Sequence, residues 1–239
     1  MTALRSRLQL PVSMGWRHVL FVNWPVGPEL VAAHLPDSLS VDTFDGQAWL
    51  SAVPFTNVAV RPAGMPHFAG FRLPELNLRT YVTHDGEPGV YFFSLDAQGV
   101  LGVVGARLFH HLPYYYARIS LSAKNDRVEF SSRRVHPGAR PVRFHATYGP
   151  RGEQFHAVPG SLEAFLTERY RYYTEAIDGT LRYAAVSHER WPLTEAAVEW
   201  SANSLFRANG FASPTSDPVY LYSPGVETVA SGSKHADES

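Results

Sequence analysis

The chain has 239 residues, of which 45% are apolar, 13% aromatic and 18% charged, a composition that supports a sizeable core and excludes a disordered polymer. A net charge of −1 supplies no broad electrostatic attraction to nucleic acid or an anionic membrane, and the lack of cysteine excludes disulfides, thiolate metal sites and thiol nucleophiles. No run approaches the roughly 20 apolar residues of a membrane span, nor the apolar core of a signal peptide, so a cytoplasmic protein with no membrane partner is expected.

Arg17 to Trp24 is rich in β-branched and aromatic residues and reads as a strand that Pro25 ends. Gly27 to His34 reads as a short helix with Pro28 in its first turn. Leu39 to Phe44 leads through Asp45-Gly46 into Ala48 to Phe55, the pattern of a β-hairpin. Residues 61–74, RPAGMPHFAGFRLP, read as a loop over a pocket mouth or as a plain connector. Asn77 to Thr83 and Gly89 to Leu95 flank a His84-Asp85-Gly86-Glu87-Pro88 turn and predict a second hairpin.

Further strands are predicted at 99–108, 115–124, 127–134 and 142–148, with a turn at Asn125-Asp126. Residues 160–177, GSLEAFLTERYRYYTEAI, predict the one longer helix, capped by Ser161, with Leu162, Phe165, Leu166, Tyr170 and Tyr173 at helical spacing, and stopped by Asp178-Gly179. Residues 183–186 and 219–222 suit short strands, while 196–206 fit strand or helix equally. The expectation is one domain over residues 1–229 with a small polar tail, 230–239, left disordered. Its fold class is β-rich α+β, a closed or strongly curved antiparallel β-barrel with a few short helices, which removes exposed sheet edges.

The segment 105–117, GARLFHHLPYYYA, gathers an arginine, two histidines, a proline and three tyrosines between apolar stretches and is the best candidate for a chemical site. Adjacent His110 and His111 would point to opposite faces of a strand, and no histidine–carboxylate cluster has ligand spacing, so no metal is expected. The chain has no nucleotide-binding glycine motif and no nucleophile elbow, so no cofactor, nucleic-acid partner or triad hydrolysis is expected. Only two of the 21 basic residues are lysines, Lys124 and Lys234, which leaves few amines for Schiff-base catalysis.

WRHVLFVNWPVGPELVAAHLPDSLSVDTFDGQAW, PELNLRTYV, GVYFFSLDA, GARLFHHLPYYYARI, the GSLEAFLTERYRYYT segment and the late YSPGV resemble the uncharacterised YqjF-like family, a domain of unknown function grouped with the acetoacetate decarboxylase-like superfamily. The resemblance runs from about residue 12 to about residue 228 and implies that superfamily's barrel and, as an expectation, a homo-oligomer. Acetoacetate decarboxylase forms an iminium on a lysine that follows a proline, which in turn lies six residues after an arginine. Here Arg107 and Pro113 keep that spacing, and the next residue is Tyr114. Arg17 matches an arginine before the first helix, and Glu75 lies eleven residues before Gly86, as a pocket glutamate does in that enzyme. A phenol forms no iminium, so the resemblance carries over fold and pocket but not the reaction.

Glu75 and Tyr114 are thus the candidate proton-transfer residues, and Arg17, Arg107, Tyr115 and His110 the candidate ligand contacts. Plainer roles stand beside these: Arg17 and Glu75 as a structural ion pair, Arg107 as an interior counter-ion, the tyrosines as aromatic packing, and the histidines as satisfied core or surface residues. The expected partner is a small molecule, an oxo-acid or an aromatic compound. It is either transformed by a lyase, hydratase or isomerase, or simply held by a binding protein.

Overall fold

The computed structural model describes residues 11–99, 112–176 and 178–236. In chain order these form β1 (Val12–Val26), α1 (Pro28–Ala32), β2 (Ser40–Val41), β3 (Ala48–Pro62), a single 3-10 turn (His67–Ala69), β4 (Phe71–His84), β5 (Glu87–Ala97) and β6 (Tyr114–Lys124). They continue through β7 (Arg127–Arg134), β8 (Arg143–Phe155), α2 (Leu162–Thr167), β9 (Arg171–Glu175), β10 (Leu181–His188), β11 (Leu193–Asn203), α3 (Leu205–Ala208), β12 (Val219–Ala230) and β13 (Lys234–His235). Every strand joins one sheet, and β4, β5, β6, β7, β8, β11, β12, β1 and β3 close into a ring of nine.

Two strands divide their pairing along their length. β12 meets β11 at Leu221 and Tyr222 but β10 at Thr228 to Ala230. β5 meets β9 at Val90 and Tyr91 but β6 at Leu95 to Ala97, both in parallel. A second, seven-strand ring therefore runs β5, β9, β10, β12, β1, β3, β4 and shares the wall β12–β1–β3–β4–β5 with the first.

A shared wall is buried on both faces, which explains the unbroken apolar run from Val19 to Val22 in β1. Leu20, Val22, Trp24, Leu50, Ala52, Leu76 and Leu78 belong to the core cluster of the nine-strand ring, together with Ile119, Phe130 and Phe144. The residues between them, Val19, Phe21, Val53 and Phe55, belong to a separate cluster with Trp191 and Leu193. Strand alternation thus sends successive side chains into two different interiors.

Several elements depart from the sequence expectation. The helix over 160–177 stops at Thr167, with Ser161 Oγ accepting from Ala164 N at 3.2 Å, and the chain resumes as β9 from Arg171. Tyr172, Tyr173 and Thr174 are buried strand formers here, and pairing with β5 and β10 overrides the helical spacing of Tyr170 and Tyr173. The first hairpin shrinks to one bridge, Phe44–Gln47, around Asp45 and Gly46 at φ 50° and 75°, because β2 pairs with β4 instead of β3. Within 61–74, β3 extends to Pro62 and β4 begins at Phe71, so the loop is shorter than predicted.

The open reading of 196–206 resolves as strand to Asn203 and helix from Leu205. Beyond Ala230, where disorder was expected, Lys234 and His235 pair with Tyr183 and Arg182, and Ala236 is buried. Residues 100–108 of the strand predicted at 99–108 lie outside the described residues. No described helix is long and apolar enough to cross a membrane.

Candidate functional site

The seven-strand ring encloses a cavity of about 620 Å³. Leu73, Glu75, Asn77 and Arg79 line it from alternate positions of β4, with Val19 and Phe21 from β1 and Val53, Phe55 and Asn57 from β3. Leu112 enters from just before β6, Tyr114 from its first position, Tyr172 from β9, His188 from β10, and Trp191 beyond it. Most of this surface is apolar, so its few polar groups are the ones able to orient a ligand.

Glu75 is the most deeply placed acid there, only 4% exposed. Its Oε2 accepts from the Tyr114 hydroxyl at 2.9 Å and from Asn57 Nδ2 at 3.5 Å, and its Oε1 accepts from Asn77 Nδ2 at 3.5 Å. Burial pushes the carboxyl up to about 7, outweighing these three hydrogen bonds. Burial, followed by the neighbouring Glu75, holds the Tyr114 hydroxyl well above the usual phenol range. The pair therefore combines an acid that exchanges its proton near neutrality with a hydroxyl that keeps its own, a division of roles suited to general acid–base chemistry.

Arg79 faces the same cavity from the next turn of the alternation. Its Nη2 donates to the Leu166 carbonyl at 3.1 Å and its guanidinium lies over the rings of Phe21 and Tyr81, 5.4 and 5.8 Å from their centroids. Nearby, the His188 ring packs 5.6 Å from Trp16 and 5.0 Å from Trp191, with Nδ1 2.6 Å from the Glu189 carbonyl, and burial holds its pKa below the ordinary imidazole value. Among the described residues, Asn77 Oδ1 and Arg79 Nε are buried without a hydrogen-bond partner.

Of the six predicted site residues, the structure brings Glu75 and Tyr114 together. Arg17 and Tyr115 are corrected: both are chain neighbours of cavity residues and point the other way. Trp16 lines the cavity, so Arg17 faces outward, where it donates to the Trp16 and Val226 carbonyls at 2.8 and 3.1 Å and pairs with Glu227. Its side chain is 36% exposed, and the ion pair considered between Arg17 and Glu75 does not form. Tyr115 turns into the nine-strand ring, where the Arg134 guanidinium sits 4.1 Å from its ring centre. Arg134 in turn is held by Asp96 at 2.6 Å, both fully enclosed. Arg107 and His110 lie outside the described residues.

Asn57, Asn77, Arg79, His188 and Trp191 were missed. For β4 the signal was present: Glu75, Asn77 and Arg79 alternate with Leu76 and Leu78, a polar stripe on an otherwise apolar strand. Lys124 and Lys234, the chain's two lysines, are exposed and border no part of the cavity. Among the described residues no group of three histidine or carboxylate side chains is placed to hold a metal ion.

A model of the DUF2071 family, whose description is an uncharacterized conserved protein, matches residues 13–227. The uncharacterized protein YqjF of Bacillus subtilis (strain 168) is 44% identical over 208 residues, covering 87% of this chain and 85% of its own. Among solved structures, the enduracididine biosynthesis enzyme MppR complexed with pyruvate superposes with a TM-score of 0.69 at 13% identity, covering 96% of this chain and 91% of that one. Acetoacetate decarboxylase from Legionella pneumophila superposes with a TM-score of 0.65 at 14% identity, covering 95% and 87%. At these identities the likeness is one of fold.

Proposed function

The chain belongs to the DUF2071 family and has an acetoacetate decarboxylase-like fold, and from that premise we propose that its cavity binds a small organic acid or carbonyl compound on which Glu75 and Tyr114 carry out proton transfer. The reading is of a lyase, hydratase or isomerase that forms no lysine iminium. The observation that carries it is the 2.9 Å hydrogen bond from Tyr114 to a buried carboxyl poised at about 7. In its ionised form Glu75 takes a proton from the carbon beside the ligand's carbonyl, and the C–H electron pair moves into the enolate. Tyr114 then hydrogen-bonds the enolate oxygen; where a C=C bond of the ligand is conjugated with that enolate, return of the proton to the far carbon of the dienolate shifts the double bond and completes an isomerisation. The fold relative MppR has been seen with pyruvate, which supports a small carbonyl ligand for a ring of this design. Arg107 and His110, seven and four residues before Tyr114 in sequence, remain ligand contacts in this reading.

Turnover of oxo-acids by wild type, Tyr114→Phe and Glu75→Gln tests it. Each substitution is expected to lower turnover at least about tenfold with the fold intact, a floor beneath the roughly 10²–10⁴-fold that a positioned acid or base contributes. Undiminished turnover in both variants contradicts the assignment. The apolar, aromatic lining favours a second reading, a binding protein without catalysis. Native mass spectrometry that finds a retained small molecule, together with unchanged oxo-acids in the assay, selects that reading.

A further inference from the structure

Arg79 differs from the other arginines around the cavity. Arg169 is held by Asp42 at 2.7 Å, Arg171 lies 3.5 Å from Glu87, and Arg61 is tied to the carbonyls of Ala59 and Met65. Among the described residues no carboxylate pairs with Arg79, and its buried Nε has no acceptor. A guanidinium does not shed its charge when buried, and an enclosed N–H without an acceptor has lost its hydrogen bond to water with nothing in exchange. A cation fixed in this way by Leu166 and two aromatic rings is preorganised for an anionic oxygen, and a planar carboxylate fits its fork.

Position along β4 decides what kind of acid fits. Glu75 and Arg79 are four residues apart on one face, so at ~3.3 Å per residue their Cα atoms stand about 13 Å apart. The Arg79 guanidinium lies 5.4 Å from the Phe21 ring centre and 5.8 Å from that of Tyr81. Between these two positions β4 places Asn77, while Phe21, Val53 and Phe55 across from β4 are apolar. Resting on the reading of Glu75 and Tyr114 as the reacting pair, we infer that Arg79 anchors the carboxylate of an elongated oxo-acid whose acid group and reacting carbonyl are separated by an alkyl or aryl spacer. A 2-oxo acid such as pyruvate carries the two groups on adjacent carbons and does not span this distance.

The test is calorimetric titration of the full chain with 5-oxo-5-phenylpentanoate, its methyl ester and pyruvate. Wild type is expected to bind the acid at least about tenfold more tightly than the ester, the worth of one charge-assisted hydrogen bond, and more tightly than pyruvate by a similar factor. Arg79→Gln, and Arg79→Met as a second variant that keeps the stem over Phe21 and Tyr81, should bring acid and ester to near equality while leaving ester binding in place. Arg79→Lys should keep part of the preference for the acid. An unchanged acid-to-ester ratio in Arg79→Gln or Arg79→Met overturns the anchor and leaves the Glu75–Tyr114 reading standing. Wild type that binds neither long probe, or binds both undisturbed by the cavity-filling Val53→Trp, overturns the anchor and the cavity reading together.

Discussion

The Tyr114 hydroxyl donates to the Glu75 carboxyl at 2.9 Å across 39 positions of chain, joining the start of β6 to the middle of β4 inside the seven-strand ring. That bond favours the ionised form of Glu75, against burial, which favours the neutral form. Tyr114→Phe therefore should raise the Glu75 pKa further above about 7. Carboxyl carbon chemical shifts followed through a pH titration would show it; a Glu75 titration that moves down or stays in place would contradict the balance described here.

Glu75 also links stability to pH. The carboxyl titrates near 4.5 when solvated and at about 7 in the fold, so within that window the folded chain holds more protons than the unfolded one. Stability falls as pH rises through it, by up to about 3 kcal/mol from this one group, and the loss is complete above the folded value. Glu75→Gln, which cannot ionise, should gain stability relative to wild type between pH 4.5 and pH 8 by an amount of that order. Urea unfolding of both proteins at the two pH values measures it, and a difference that does not grow with pH would count against a buried, ionisable Glu75.

The nine-strand ring carries its own buried ion pair, Arg134 Nε to Asp96 Oδ1 at 2.6 Å, with the two side chains 2% and 0% exposed. Removing one partner leaves an uncompensated charge in the interior. Asp96→Asn should destabilise the fold by roughly 3–5 kcal/mol. Replacing both residues by apolar ones should cost much less. Chemical denaturation of the single and double variants checks this, and equal losses in the two would refute the pair as the cause.

Gly225 holds β12 against β1 at the bend beside the cavity wall. Its φ is 130°, and a Cβ there would sit 1.8 Å from the Trp16 carbonyl oxygen. Gly225→Ala should therefore lower stability by more than about 2 kcal/mol, from backbone strain and the clash together. It should also weaken ligand binding by displacing Trp16 from the cavity wall. A thermal unfolding midpoint equal to wild type would show that the contact relaxes freely.

Strand content was legible because β-branched and aromatic runs ended at Asp-Gly, Asn-Asp and proline signals, and β7 falls on the predicted 127–134. The two-ring pairing was not, since it depends on β5 and β12 each changing partner along their length, a long-range choice no local pattern records. Tyr170 and Tyr173 sit at helical spacing, yet β9 needed strand residues to close the second ring. At the site, Glu75 and Tyr114 followed from spacing shared with a resembling enzyme. Arg17 and Tyr115 went astray through a rule of period two: a strand that turns Trp16 and Tyr114 into the cavity must turn their neighbours out of it. The same rule, applied to Glu75-Leu76-Asn77-Leu78-Arg79, would have found Asn77 and Arg79.

Proton transfer by Glu75 is tested most directly by solvent exchange. Wild type incubated in deuterium oxide with 5-oxo-5-phenylpentanoate should place deuterium on the carbon beside the ketone, followed by proton magnetic resonance. Glu75→Gln should slow that incorporation at least about tenfold while still binding the acid. Incorporation at the same rate in both proteins, or none in wild type above the rate in buffer, contradicts the account.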